Sequence, residues 1–250
     1  MQYGQMNFNL PHDVVPLPSK GKFYLNKKKS LKVGFLTASD ENILLATNSR
    51  ENLMVNLLRS KIYESDIRPE DLLNGDVEAI MIYLRNTSFG PSYKLKVTDP
   101  ETGKDFNTEI MLTELYTKDT TVEPNDEGLF ETVLPKSGSK IKLKPLTLGE
   151  SNEIDRIVDS YPAGRVAPRQ TIRLTKMIVE IDGIQDKEQI SKFIDNMPIM
   201  DSKYIKNFMY ENEPRLDLTQ RIIAPSGKEV VADILFGAEF FRPFFWVPTR

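Results

Sequence analysis

The sequence has no cysteine and a single histidine. Without cysteine there is no disulfide, no thiolate nucleophile and no thiolate-held zinc. That usage fits a reducing compartment. His12 lies between Pro11 and Asp13 with no second histidine to share a metal, and the common nucleophile–base pairs are missing. Long apolar runs are absent as well: none approaches the roughly 20 residues that cross a bilayer, so no membrane partner is expected. The first residues, MQYGQMNFNLPHDVV, lack a charged segment followed by an apolar one, and no export signal is expected. An excess of positive charge is lacking too. Lysine and arginine number 33 against 36 aspartates and glutamates, a net charge of −3, and nothing in that total calls for nucleic acid or anionic lipid. Three Gly-Lys pairs, at 21–22, 103–104 and 227–228, fail as phosphate loops. The glycine required five positions earlier is instead Pro16, Thr98 or Ile222.

What is present is an ordinary globular chain of 250 residues, 40% hydrophobic and 28% charged, long enough to bury a core. Residues 1–30 are turn-rich and become basic, which predicts an extended arm closing on a first strand, Leu31–Thr37. Ser39-Asp40 predicts the cap of a short helix holding Ile43, Leu44 and Leu45. Met54, Leu57 and Leu58 mark one face of a helix over about 50–62. Leu73, Val77, Ile80, Met81 and Leu84 mark another, interrupted near Asn74-Gly75 and stopped by Phe89-Gly90-Pro91.

Three hairpins follow from turn chemistry, since Pro presets φ and Gly supplies a positive φ. The first joins Tyr93–Thr98 to Asp105–Leu112. The second joins Leu129–Leu134 to Lys140–Leu146. The third joins Leu216–Ala224 to Glu229–Leu235. Between the second and third lies a helical stretch. It opens on Thr147-Leu148-Gly149-Glu150, a capping box in which hydroxyl and carboxylate satisfy each other's backbone amides. Four stripes predict four helices: Ile154/Ile157/Val158, Leu174/Met177/Ile178/Ile181, Ile190/Phe193/Ile194, and Ile205/Phe208/Met209 after Asp201-Ser202. The expected fold class is α+β, with hairpins forming a mixed or antiparallel sheet packed on helices. The expected organisation is an arm at 1–30, a strand–helix and hairpin region at 31–146, a helical region at 147–213 and a C-terminal hairpin with tail at 214–250. These form one compact unit or two subdomains.

Two charged stretches and one aromatic stretch stand out. Residues 98–131 hold ten acids against Lys104 and Lys118, and the loop at 113–131 is either a solvated surface or a docking patch for a basic partner. Lys20–Lys32 is lysine-rich without a nucleic-acid-binding motif. The last stretch, FGAEFFRPFFW at 236–246, has six aromatics in eleven residues. Some of these rings can pack on the parent domain. Pro243 breaks a continuing helix, so Phe240, Phe241, Phe244, Phe245 and Trp246 point several ways. Aromatics and arginine dominate binding hot spots. Phe240, Phe241, Arg242, Phe244, Phe245 and Trp246 are therefore the expected partner-binding residues.

Several pieces, in this order, are similar to one family: Val15-Pro16-Leu17-Pro18-Ser19-Lys20-Gly21-Lys22-Phe23-Tyr24, the Leu31–Leu36 strand, Thr37–Leu44, Ile-Asp-Gly at 181–183 and the Phe-Phe-Arg-Pro-Phe ending. They resemble the baseplate hub subunit and hub assembly proteins of T-even-like contractile-tailed bacteriophages. The resemblance implies a non-enzymatic role, with other baseplate hub proteins as partners, no nucleic acid and no cofactor. It also implies assembly in the host cytoplasm and a place at the virion tail baseplate. In some relatives it implies Cys-x-x-Cys knuckles at the hairpins near 99–104 and 224–228. Here those positions hold Asp99-Pro100-Glu101-Thr102 and Ala224-Pro225-Ser226-Gly227, so no metal is expected. Two alternatives stay open. A carboxylate-dependent hydrolase requires two facing acids with raised pKa values in a concave pocket. A nucleic-acid clamp requires salt-sensitive binding through Lys20–Lys32.

Overall fold

A computed structural model describes residues 11–45, 50–162, 164–234 and 240. The fold is α+β, and every strand pair is antiparallel. The chain begins with β1 (His12–Pro16) and β2 (Ser30–Gly34), paired with Val15 opposite Leu31. Helices α1 (Ala38–Leu45), α2 (Arg50–Lys61) and α3 (Asn74–Phe89) follow. Next come the hairpin β3 (Ser92–Thr98) and β4 (Asp105–Met111), then β5 (Phe130–Val133) and β6 (Lys140–Leu143). The helical stretch holds α4 (Leu148–Asp159), α5 (Arg169–Met177), β7 (Ile178–Ile181), α6 (Lys187–Asp195) and α7 (Ile199–Asn212). The hairpin β8 (Thr219–Ile223) and β9 (Glu229–Asp233) completes the order. Among the described residues no helix is long and apolar enough to cross a membrane.

Two hydrophobic cores organise these elements. In the first, β1 and β2 cover α2 and α3 through Leu31, Val33, Leu57, Leu58, Ile80 and Leu84, joined by Ile234 and Phe240. In the second, β5, β6 and β7 cover α4 to α7 through Phe130, Ile141, Leu143, Leu174, Ile190 and Ile205. Phe23 packs against both, its ring 5.4 Å from that of Phe130. Backbone bonds tie the cores together: Leu148 N donates to Leu72 O at 2.8 Å, and Asn74 N to Leu146 O at 3.3 Å. Gly75 is where the fit is tightest. A Cβ there would lie 2.0 Å from Pro214 O, so only glycine lets α3 start against the chain leaving α7. A 3-10 turn at Pro69–Asp71 precedes the helix, and the break expected near Asn74-Gly75 falls at the extended Leu72 and Leu73, with α3 resuming at Asn74.

The predicted hairpins form at all three places, and the capping box is present. Glu150 N donates to Thr147 Oγ1 at 3.2 Å, and Thr147 N to Glu150 Oε2 at 3.1 Å. One stripe divides. Leu174, Met177, Ile178 and Ile181 read as a single helix, but α5 ends at Met177 and Ile178–Ile181 becomes β7. The β-branched run Ile178-Val179 suits a pleated strand, and it pairs with the edge of β6 that β5 leaves open. The arm also acquires partners. His12–Pro16 is a paired strand, and the loop after it is held by Asp76 of α3. The Asp76 carboxylate accepts from Ser19 N at 2.9 Å and from Tyr24 Oη at 2.6 Å, while Tyr24 Oη accepts from Leu73 N at 2.9 Å. Asp76 is fully buried, and burial raises its pKa against the stabilising bonds from Ser19 and Tyr24.

Candidate functional site

The aromatic tail has its root in the first core. Phe240 is fully buried, its ring 5.3 Å from that of Tyr93 at the start of β3. Its carbonyl oxygen accepts a hydrogen bond from Arg85 Nε at 3.0 Å. The same guanidinium donates from Nη1 to Gly90 O at 2.9 Å and from Nη2 to Ser92 O at 3.2 Å, and it lies 5.3 Å from the Phe89 ring centroid. The local cause is the end of α3. Gly90 takes a positive φ of 80°, turning the chain so that the carbonyls of the 90–92 turn face back to Arg85. Arg85 is 1% exposed, and burial lowers its pKa. A guanidinium nonetheless stays protonated, so this is a buried cation bonded to three carbonyls. Phe240 thus corrects the partner-facing expectation: its ring fills the core instead of reaching outward. Burying a phenylalanine contributes about 2–3 kcal/mol, which favours that placement. The other residues of the expected site, Phe241, Arg242, Phe244, Phe245 and Trp246, lie outside the described residues.

The two charged stretches meet each other. Lys22 pairs with Glu123, and Lys27 Nζ donates to Asp126 O at 3.2 Å. Gly128 packs against the backbone of Lys22, where a Cβ would come within 3.0 Å of its carbonyl oxygen. From the other side, the buried Asn212 at the end of α7 accepts at Oδ1 from Thr121 N, Thr121 Oγ1 and Val122 N, at 3.0, 2.9 and 2.8 Å. Part of the acidic loop is therefore fastened to the lysine-rich loop, and both are less free for outside partners than composition implies. Of the other basic residues there, Lys28 pairs with Asp66 at 2.8 Å.

The hairpin turns at 99–104 and 225–227 also meet. Asp99, 2% exposed, accepts at Oδ1 from Ser226 Oγ at 2.8 Å and at Oδ2 from Ser226 N at 3.2 Å, and Glu101 N adds a bond at 2.9 Å. Desolvation opposes its charge, but these bonds hold its pKa below the ordinary carboxylate range. An acid and a hydroxyl thus join two turns at the positions where the resemblance implied paired cysteines in relatives. Among the described residues no group of His, Asp or Glu could hold a metal ion.

Carboxylates converge at one cavity of about 350 Å³ between α3 and the chain after α7. Glu78 and Glu213 line it together with Arg173 and Arg215. Burial, then the charge of Glu213, pushes the Glu78 carboxyl up to about 7 against the pull of Arg215. Burial raises Glu213 too, against Arg173 and Arg215. Glu78 Oε2 is buried without a hydrogen-bond partner. Glu78 can therefore hold a proton near neutral pH. Sequence reasoning missed all four residues, because they come from α3, α5 and the segment after α7 and carry no motif. Arg85 did leave a signal: it follows Met81 by four positions, putting a charge beside an apolar stripe.

The family model for the T4 bacteriophage base plate protein matches residues 13–242. No curated protein and no solved structure matches the chain. The match runs from β1 through both cores to just past the buried Phe240. The chain belongs to the T4 bacteriophage base plate protein family.

Proposed function

We propose that this baseplate protein acts without catalysis in building the tail baseplate hub, as a hub component or as a factor that promotes hub assembly. Its partners on this reading are other hub proteins, met in the host cytoplasm while the tail forms and in the finished baseplate if the protein stays. The contact is made by Phe241, Arg242, Phe244, Phe245 and Trp246. The observation that carries this reading is the fixed root: Arg85 holds the Phe240 carbonyl, which anchors the chain at one defined point directly before these residues. A pre-set origin reduces the ordering cost that a binding segment otherwise meets.

The test is truncation after Phe240, which keeps the buried ring and removes the rest. The expected product folds, gives an unchanged unfolding transition and no longer captures hub proteins from infected cells. Unchanged capture would refute the tail as the contact. A protein inventory of purified particles then separates a resident component from a transient factor.

The Glu78–Glu213 cavity favours a second reading, a carboxylate-dependent hydrolase. Turnover of a phage or host polymer that Glu78→Gln abolishes in a folded protein would establish it.

A further inference from the structure

Three cavities share walls along the C-terminal end of α7 and the chain beyond it. One, of about 320 Å³, lies between α5 and α7. The second is the 350 Å³ cavity of Glu78, and the third, about 450 Å³, lies beside β8. Arg215 lines all three. Arg173 and Glu213 line the first two, and Tyr210 lines the first and third. Shared residues make this one groove.

The polar groups in it are mostly donors. Among the described residues Arg173 and Lys206 have no hydrogen bond or ion pair, although Arg173 senses the charge of Glu213. Arg215 makes one long bond, Nη2 to Tyr210 O at 3.4 Å. Tyr210 is 56% exposed and stands between two cations: Lys118 Nζ lies 4.1 Å and the Arg215 guanidinium 4.2 Å from its ring centroid. Burial disfavours ionisation of Glu78 and Glu213, the charge of Arg215 favours it in both, and a carboxyl that holds its proton is itself an O–H donor. Glu78 Oε2 has no bond to give up. Cations and an exposed tyrosine complement carboxylate oxygens, and Tyr and Arg are the residue types that anchor interfaces. All this lies on a chain whose net charge is −3, so the groove runs against the average of the molecule.

We propose that this groove binds an acidic segment of a partner polypeptide, with carboxylates seated among Arg173, Lys206 and Arg215, beside Tyr210. A peptide fits better than a nucleic acid. Glu114 and Asp217 line the third cavity, and they oppose an unbroken phosphate track. A polypeptide can place neutral residues opposite them. This site uses none of the residues of the expected tail contact and does not rest on the hub reading.

The test uses the full-length protein and a fluorescent oligoglutamate peptide, followed by anisotropy at low salt, with an oligothymidylate as the rival ligand. Saturable peptide binding is expected, weakened roughly tenfold or more by Arg173→Gln with Arg215→Gln, and also by Lys206→Glu. Lys206 is exposed on α7, so that variant keeps the fold and decides the question if the double variant does not fold. Absence of saturable binding, equal affinity in Lys206→Glu, or tighter binding of oligothymidylate at the same salt would overturn the proposal.

Discussion

The two cores are built on different plans. The second is made from one continuous stretch, Phe130 to Met209, and most of its buried side chains are aliphatic or aromatic. The first gathers residues from Val15, Leu57, Ile80, Leu112, Ile234 and Phe240, which are far apart along the chain. Buried polar residues close it. Asp76 holds the loop after β1, Arg85 holds Phe240, and Asp40 pairs with Lys61 while both are nearly buried. The second core has such bonds too, the fully buried Asp201 accepting from Lys136 N at 2.7 Å and from Ser137 N at 2.9 Å. The first, assembled from more distant pieces, uses more of them to fix which pieces meet, because burial alone is non-directional.

Substitutions can break or sharpen that comparison. Arg85→Ala should have the largest effect. It removes the Arg85 bonds to the buried Phe240 carbonyl and to the half-buried Gly90 and Ser92 carbonyls, a cost of about 3–5 kcal/mol, read as a lowered urea midpoint. Ile205→Ala in the second core should cost about 2–5 kcal/mol as a simple cavity. The two variants should differ in kind. Loss of Arg85 should speed amide exchange around Ser92 and Tyr93 first, and loss of Ile205 should do so in α7 and β6. Equal patterns would mean that the cores unfold as one unit and the distinction is only geometric.

The boundary between the cores should respond to pH. The folded state raises the Glu78 pKa to about 7, so it binds that proton more tightly than the unfolded chain does. The contribution is full below about 4.5 and is lost as pH rises from there through 7. Glu78→Gln removes the dependence, so by pH 8 the variant should be the more stable by about 2–3 kcal/mol. Urea midpoints at acid and alkaline pH check this, and parallel curves for the two proteins would refute it. The smallest effect is expected at the capping box of α4, where Thr147→Ala should cost about 1 kcal/mol. A thermal scan measures it.

Legibility followed the same divide. The three hairpins were readable because Pro and Gly fix the turn locally, and the α4 cap because Thr147 and Glu150 sit three residues apart. The helical stripes of the second core were readable too, except where Ile178–Ile181 was drawn to an open strand edge, a tertiary demand that periodicity does not carry. In the first core, the arm read as extended but nothing local announced that Ser19 and Tyr24 would meet Asp76. The site behaved likewise. Composition singled out the aromatic tail, but the burial of Phe240 depends on Arg85, 155 positions away. Lys22 and Glu123 read as parts of opposite patches, and the fold spends them on each other. The groove around Arg215 was not readable at all, since its residues come from α3, α5, α7 and the segment after α7.

The presence of Val15 of β1 in the same core as Ile234 and Phe240 has a consequence for synthesis. A chain leaves the ribosome from its N-terminus, and domains close as their parts emerge. Every residue of the second core is available once Met209 is outside the tunnel. The first core contains β1 yet waits for Ile234 and Phe240 to be translated. The first core therefore opens before the second and closes after it.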